Sequence, residues 1–253
     1  MLQPNKILVI RFSSLGDLIL TSPIFRELRR IFPDANLNLL TSVGFGDVLD
    51  NNPHLDRIIK HPRKENFEQL NQLIEELQAE EFDLIYDAHR SMRSRWIVSR
   101  LTAFGMKTKP SVWKIDKRTV NRKLLIHLGW NRLQQGLSQR EQWLLPLKQH
   151  APHGLDASTE LFPDQEDTNL IETLMSEHNL LPRGFIAIGP SASQPLKCWP
   201  LLHFTHLTEM LIQSGWKIVL VGGPDEPEPE LLEGEFGDKI INFAGRLLSL
   251  IHI

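Results

Sequence analysis

Short apolar runs alternate with amphipathic stretches along the first 90 residues. Lys6–Phe12 (KILVIRF) is a compact β-branched run of the kind that forms a buried strand. Ser13–Asp17 reads as a turn. Leu18, Ile19, Phe25, Leu28 and Ile31 then recur at roughly helical spacing, which predicts one helix ending before Pro33. Further strands are predicted at Leu37–Thr41, around Ile58 and Ile59, and at Asp83–Tyr86. A short helix is predicted at about Phe45–Asn51 and a longer one at Phe67–Ala79. The glutamates between Glu65 and Glu81 fall on the wet face of that longer helix. Strands alternating with helices imply parallel βαβ units and an open, doubly wound α/β sheet.

Beyond residue 124 the pattern loosens. Pro146, Pro152, Gly154 and Pro163 mark a connecting region, followed by a helix at about Asp167–His178. The opening motif then recurs. Gly184–Gly189 is a strand, Pro190–Trp199 a polar loop, and Pro200 opens a helix in the first turn, where proline is tolerated, running to about Ser214. Trp216–Val221 is the next strand, Gly222-Gly223-Pro224 its exit turn, and Lys239–Phe243 a third strand. Two such starts imply two Rossmann-like, doubly wound domains, 1–165 and 166–253. The second is expected to be incomplete, being shorter than the about 100–150 residues such a domain takes.

Composition narrows the class. The chain has 253 residues, 41% hydrophobic and 23% charged, which excludes disordered, fibrous and disulfide-rich proteins. The lone cysteine, Cys198, rules out an internal disulfide and a cysteine-based zinc cluster, and fits a reducing cytoplasmic setting. The net charge of −3 argues against a globally basic nucleic-acid binder. It conceals an asymmetry, because Arg90–Lys123 holds eleven basic residues and one acid, Asp116. That segment carries +10 and the remainder −13, so its surface is expected to meet an anion. Phosphorylated sugar, acidic lipid headgroups and nucleic acid all qualify on charge alone.

Three strand-end loops could carry chemistry, since ligands of open α/β sheets bind beyond the carboxyl ends of the strands. In the first, Gly16 is read as easing a tight turn, and Asp17 arrives at the helix start. There it can cap the helix N-terminus or act as a general base. In the second, Ser191–Trp199 (SASQPLKCW), hydroxyls, Lys197 and backbone N–H groups before a helix could hold a phosphate, or the loop could be plain surface. In the third, Gly222–Glu226, an acid could accept hydrogen bonds from ribose hydroxyls, while Glu228, Glu230, Glu233 and Glu235 read as a solvated charge run. The pairs His150/His153 and His203/His206 have no evident third ligand, so no metal site is expected. Walker A, G-x-G-x-x-G, G-x-S-x-G and HExxH motifs are absent.

At these loops the chain resembles glycosyltransferase family 9, the heptosyltransferases of lipopolysaccharide core assembly. The matching residues are Ile7–Asp17 with Pro23, Asp87-Ala88-His89-Arg90 with the basic stretch after it, Lys197-Cys198-Trp199-Pro200, and Gly222–Glu226. The resemblance implies a GT-B architecture of two Rossmann-like domains. It also implies inverting transfer of heptose from ADP-heptose to an anionic, lipid-linked saccharide acceptor, with no cofactor and no metal. Asp17 would then be the catalytic base. Ser193 and Lys197 would stabilise the departing diphosphate, and Glu226 would bind the ribose. Ser14, Gly16, Arg90 and Arg93 would contact the acceptor. Such an enzyme would be cytoplasmic, with peripheral contact to the inner membrane and no role for nucleic acid.

Asn242–Leu247 resembles the family's N-x-A-G-x segment, but its later Asp-[Ser/Thr]-Gly-x-x-His segment has no counterpart. The closing Leu248–Ile253 matches what the end of a common transposase sequencing adapter encodes in one frame, and is expected to be non-biological. A catalytically inactive acceptor-binding fragment, lacking a complete donor site, is the alternative reading.

Overall fold

The computed structural model describes residues 3–64, 66–103, 109–132, 136–192 and 195–247. Ser193 and the closing hexapeptide 248–253 lie outside the described residues. The chain forms two compact units, Met1–Phe162 and Pro163–Ile253.

The first unit opens with β1 (Lys6–Ile10), α1 (Leu15–Ile19), α2 (Ser22–Ile31) and β2 (Asn36–Ser42). The short helix expected at about Phe45–Asn51 is a 3₁₀ turn at Gly46–Leu49, which leads to β3 (Arg57–His61), α3 (Phe67–Ala79) and β4 (Leu84–Asp87). Then come α4 (Met92–Leu101), β5 (Ser111–Lys114), α5 (Thr119–Leu128) and α6 (Gln139–Leu144). The five strands are parallel, in the order β3-β2-β1-β4-β5. β1 lies centrally, and Ile7, Leu8, Val9 and Ile10 are all buried. A strand covered on both faces needs a continuous apolar run rather than an alternating one. On one face Leu8, Ile10, Leu40 and Ile85 pack with Leu73, Ile74 and Leu77 of α3 and Ile97 and Leu101 of α4. Tyr86 is buried in β4, and its hydroxyl donates to the Trp143 carbonyl of α6, so α6 is tied to the sheet.

The single helix expected over Leu18–Ile31 is two helices, broken at Leu20 and Thr21. Proline at position 23 has no N–H to give and would crowd the carbonyl of residue 19 inside a continuous helix. Instead Pro23 occupies the first turn of α2, and the Thr21 hydroxyl donates to the Asp17 carbonyl at 2.6 Å. The elements from α4 to α6 had been read for charge alone. β5 offers no periodic signal, being a four-residue edge strand with Val112 and Lys114 exposed.

The second unit contains α7 (Gln165–Glu177), β6 (Phe185–Ile188), a 3₁₀ turn at Pro195–Lys197, α8 (Leu201–Gln213), β7 (Lys217–Leu220), α9 (Pro227–Phe236) and β8 (Ile240–Asn242). Its parallel sheet runs β6-β7-β8. Val219 and Phe243 pack with Leu174 and Leu180 in one cluster, and Ile188, Ile218 and Leu220 pack with Leu232 in another. Pro200 is the N-cap of α8, in extended conformation, rather than part of its first turn. The acid-rich stretch after Gly223 is helix α9 and more than a solvated charge run. Glu228 accepts from the Ser191 hydroxyl (2.6 Å), Glu233 from Asn242 (2.7 Å) and Glu235 from the Thr205 hydroxyl (2.9 Å). Three of its acids therefore tie α9 to the β6 loop, β8 and α8.

Candidate active site

Strand order reverses between β1 and β4, so the chain leaves these two neighbouring strands toward opposite sides of the sheet. Such a switch point opens a crevice at the strands' carboxyl ends. A cavity of about 350 Å³ lies there, lined by Arg11, Asp17, His89, Lys117, Arg122 and Trp143 among others.

Arg11 organises this cavity. It is the first residue after β1, and its side chain is almost wholly buried. One guanidinium nitrogen, Nη2, pairs with Asp17 Oδ2 at 2.5 Å, and Nη1 donates to the Ala88 carbonyl at 2.6 Å. Its Cζ lies 4.6 Å from the Trp143 ring centroid. Burial pulls its pKa below the usual guanidinium value, against the opposing pull of Asp17 and Asp87. A guanidinium with both terminal nitrogens engaged holds its carboxylate in one orientation. Ser14 completes the frame, its backbone N–H and hydroxyl each standing 3.4 Å from Asp17 Oδ2. Among the described residues every hydrogen bond and ion pair of the Asp17 carboxylate falls on Oδ2, and the carboxylate, about one-third exposed, lines the cavity.

Gly16 does not turn the chain. It lies inside α1, outside the left-handed region, and a Cβ there would meet nothing within 4 Å. What it provides is open space beside Asp17.

The β4 exit supplies the opposite wall. Asp87 accepts the backbone N–H of His89 (3.1 Å) and of Arg90 (2.7 Å), which turns the chain sharply, with Arg90 at φ 49°. His89 stands edge-on to Phe12, with ring centroids 5.6 Å apart. Burial first, then the nearby charges of Arg11 and Lys117, depress its pKa to about 4, so it is neutral at pH 7. Lys117 is depressed for the same reasons, burial and then Arg11.

Of the basic residues singled out, Arg90 donates to the Ile115 carbonyl at 3.0 Å, bridging the ends of β4 and β5. Arg93 donates to the Pro62 carbonyl at 3.0 Å and covers the Phe12 ring at 4.0 Å. Both support the cavity's frame, whereas Arg11, Lys117 and Arg122 line it. Lys117 and Arg122 were legible only as members of a charged run. Trp143 gave no signal, because α6 reaches the site through tertiary packing.

In the second unit, Lys197 is exposed at the end of the 3₁₀ turn before α8. Glu226 is the N-cap of α9, and its Oε2 accepts the Gly223 N–H at 3.0 Å. A Cβ at Gly222 would sit 2.6 Å from that oxygen, so a side chain there would have to displace the Glu226 carboxylate. Among the described residues no group of three or more His, Cys, Asp or Glu side chains could hold a metal, and no helix is long and apolar enough to cross a membrane.

The family model for glycosyltransferase family 9 (heptosyltransferase) matches residues 70–248, running from α3 through β8. The chain belongs to glycosyltransferase family 9. Within the family it is similar to lipopolysaccharide heptosyltransferase 3 of Escherichia coli, 26% identical over 228 residues, which are 84% of this chain and 62% of that protein. The chain thus spans less than two thirds of that relative's length. Among solved structures it resembles a family 9 glycosyltransferase from Veillonella parvula (TM-score 0.75, 21% identity, 98% of this chain and 72% of that one). It also resembles E. coli heptosyltransferase WaaC with ADP (TM-score 0.61, 20% identity, 94% and 73%). These likenesses make the fold GT-B, with two Rossmann-like α/β units.

Proposed function

We propose that this family 9 chain belongs to an inverting transferase that moves heptose from ADP-heptose to an anionic, lipid-linked lipopolysaccharide inner-core saccharide. The observation that carries the reading is the Arg11-held carboxylate of Asp17, which lines a cavity at the β1/β4 switch point together with Lys117 and Arg122. A hydroxyl nucleophile is too weak to attack an acetal carbon unless its proton is taken up as the bond forms. Asp17 Oδ1 accepts that proton. The acceptor oxygen bonds to the anomeric carbon, and the bond from that carbon to the diphosphate oxygen breaks on the opposite face, which inverts the configuration. The electron pair leaves on ADP, where Lys197 and the Ser193 hydroxyl offset the developing charge. Glu226 takes the ribose hydroxyls through its remaining lone pairs. Lys117 and Arg122 hold the acceptor's anionic groups, with Ser14 and Gly16 beside the reacting hydroxyl and Arg90 and Arg93 behind them. No metal or cofactor is invoked. Support for the donor comes from the family and from the ADP held by the structurally similar WaaC. The enzyme would work at the cytoplasmic face of the inner membrane.

The test is transfer of heptose from ADP-heptose to a core acceptor by the whole protein. Asp17→Asn should lower kcat by about 10²–10⁴-fold, the usual contribution of a positioned base, while ADP affinity stays within twofold. Turnover within threefold of wild type would sink the assignment.

A further inference from the structure

Helix α5 (Thr119–Leu128) is unlike every other helix of eight or more residues in the first unit, because none of its residues is buried. Its sequence, TVNRKLLIHL, is rich in apolar side chains nonetheless. Val120 is 70% exposed, Ile126 75% and Leu128 56%, and Trp130 just beyond the helix is 56% exposed. A ten-residue helix is marginal in water unless an apolar face is buried against something.

Past Asp116, which accepts the Arg118 N–H at 2.8 Å just before the helix, the charge along the chain has one sign. From Lys117 to Arg140 there is no Asp or Glu, while Lys117, Arg118, Arg122, Lys123 and Arg132 are all basic. Leu124 and Leu125 are half-buried, as is Asn121. On a 3.6-residue helix the face opposite them carries Ile126 among Arg122, Lys123 and His127, with Val120 at its edge. Trp130 is fixed at the end of this face. Gly129 closes the helix at φ 67°, the Trp130 N–H donates to the Leu124 carbonyl at 3.2 Å, and the Arg132 guanidinium lies 5.8 Å from the indole centroid.

We infer that α5 and the turn through Trp130 form a docking surface for an anionic lipid bilayer. Apolar side chains ringed by cations, with an aromatic residue at the edge, match an interface in which acyl chains lie beneath anionic headgroups. A protein partner chosen by charge would need an acidic surface but would not call for four exposed apolar side chains among the cations. The position also fits the transfer reading, on which this clause alone rests. Arg122 belongs to both α5 and the wall of the Asp17 cavity, so a docked α5 holds the cavity beside the headgroups, where a lipid-linked acceptor lies.

The experiment is co-sedimentation of the whole protein with vesicles, and it needs no transferase activity. The protein should bind vesicles of phosphatidylethanolamine with phosphatidylglycerol and stay in solution with phosphatidylcholine alone. Ile126→Glu and Trp130→Ala should each weaken binding about tenfold, and Lys123→Glu comparably at low salt. All three side chains are exposed, so circular dichroism and melting temperature should be those of wild type. Absence of binding to anionic vesicles overturns the inference. So does binding that Ile126→Glu leaves unchanged and that heparin matches, which would make the surface a general polyanion site. A dimer in light scattering that Ile126→Glu dissociates would assign the face to a second copy instead. Asp17→Asn should bind vesicles like wild type, so loss of the catalytic reading and loss of this one give different results.

Discussion

Asp17 and His89 face the same cavity, and the protein controls them in different ways. Asp17 is oriented by a buried guanidinium that spends its other nitrogen on the Ala88 carbonyl. His89 is held neutral by burial next to Arg11 and Lys117. Its Nδ1 is buried and has no hydrogen-bond partner among the described residues, so protonation would bury a charge beside Arg11 and Lys117 that Asp17 only partly offsets. The unfolded chain titrates this histidine near 6.5 and the folded one near 4. Between those values the unfolded state binds more protons, so stability present above pH 6.5 drains away as pH falls toward 4, by up to about 3 kcal/mol. His89→Asn should flatten that part of the curve of unfolding free energy against pH, measured in urea. An unchanged slope would show that the histidine is not the titrating group. The aspartate itself was legible in the sequence as a cap or a base. Its arginine partner was present in the same motif but unassigned, because a six-residue spacing acquires meaning only when the loop from β1 to α1 folds one residue back onto the other.

Where elements join, proline and glycine set the geometry. Pro23 converts one amphipathic stretch into α1 and α2, and the break leaves Asp17 in a five-residue helix whose first turn borders the cavity. In the second unit, the turn after β7 and the turn after β8 lie back to back. Gly245 adopts φ 71°, its N–H donates to the Gly222 carbonyl at 2.9 Å, and a Cβ there would stand 2.9 Å from the Pro224 Cα. Backbone cannot move aside as a flexible side chain would. Gly245→Ala should therefore destabilise the second unit by about 1–3 kcal/mol, read as a lower urea midpoint at constant m-value; a change below about 0.5 kcal/mol would mean that the turn is looser than drawn. The helices that sequence periodicity located best, α3 and α8, carry regular apolar stripes. Of those it missed, α4 and α9 are punctuated by charge, and α5 leaves its apolar side chains exposed.

Taken whole, the molecule divides its chemistry between two units joined near residue 162. The first carries the proposed base and the cations for an anionic acceptor, the second the loops proposed for the nucleotide. If Lys197 holds the diphosphate, Lys197→Ala should weaken ADP binding about 10–100-fold in calorimetry, the range for losing a charge-assisted hydrogen bond, whereas Asp17→Asn should not. Equal affinity in Lys197→Ala and wild type would remove Lys197 from the donor site. The strong sequence charge asymmetry also resolves at this level. Its basic segment falls into three groups: Arg90 and Arg93 brace strand ends, Lys117 and Arg122 line the cavity, and Lys123 lies among the exposed apolar side chains of α5.

The sequence by itself determined the alternation of strands and helices, because a buried parallel strand must be a continuous apolar run and its crossover helix must carry a stripe. It also determined which strand-end loops hold residues with chemistry, since their identities are local. Only the tertiary structure decided which loops meet. Strand order placed β1 beside β4, and so brought Arg11 and Asp17 against His89 although more than 70 positions separate them along the chain. It also decided which cations are braces and which remain available, because a guanidinium's role depends on the carbonyls and rings within its reach, and folding alone brings those together.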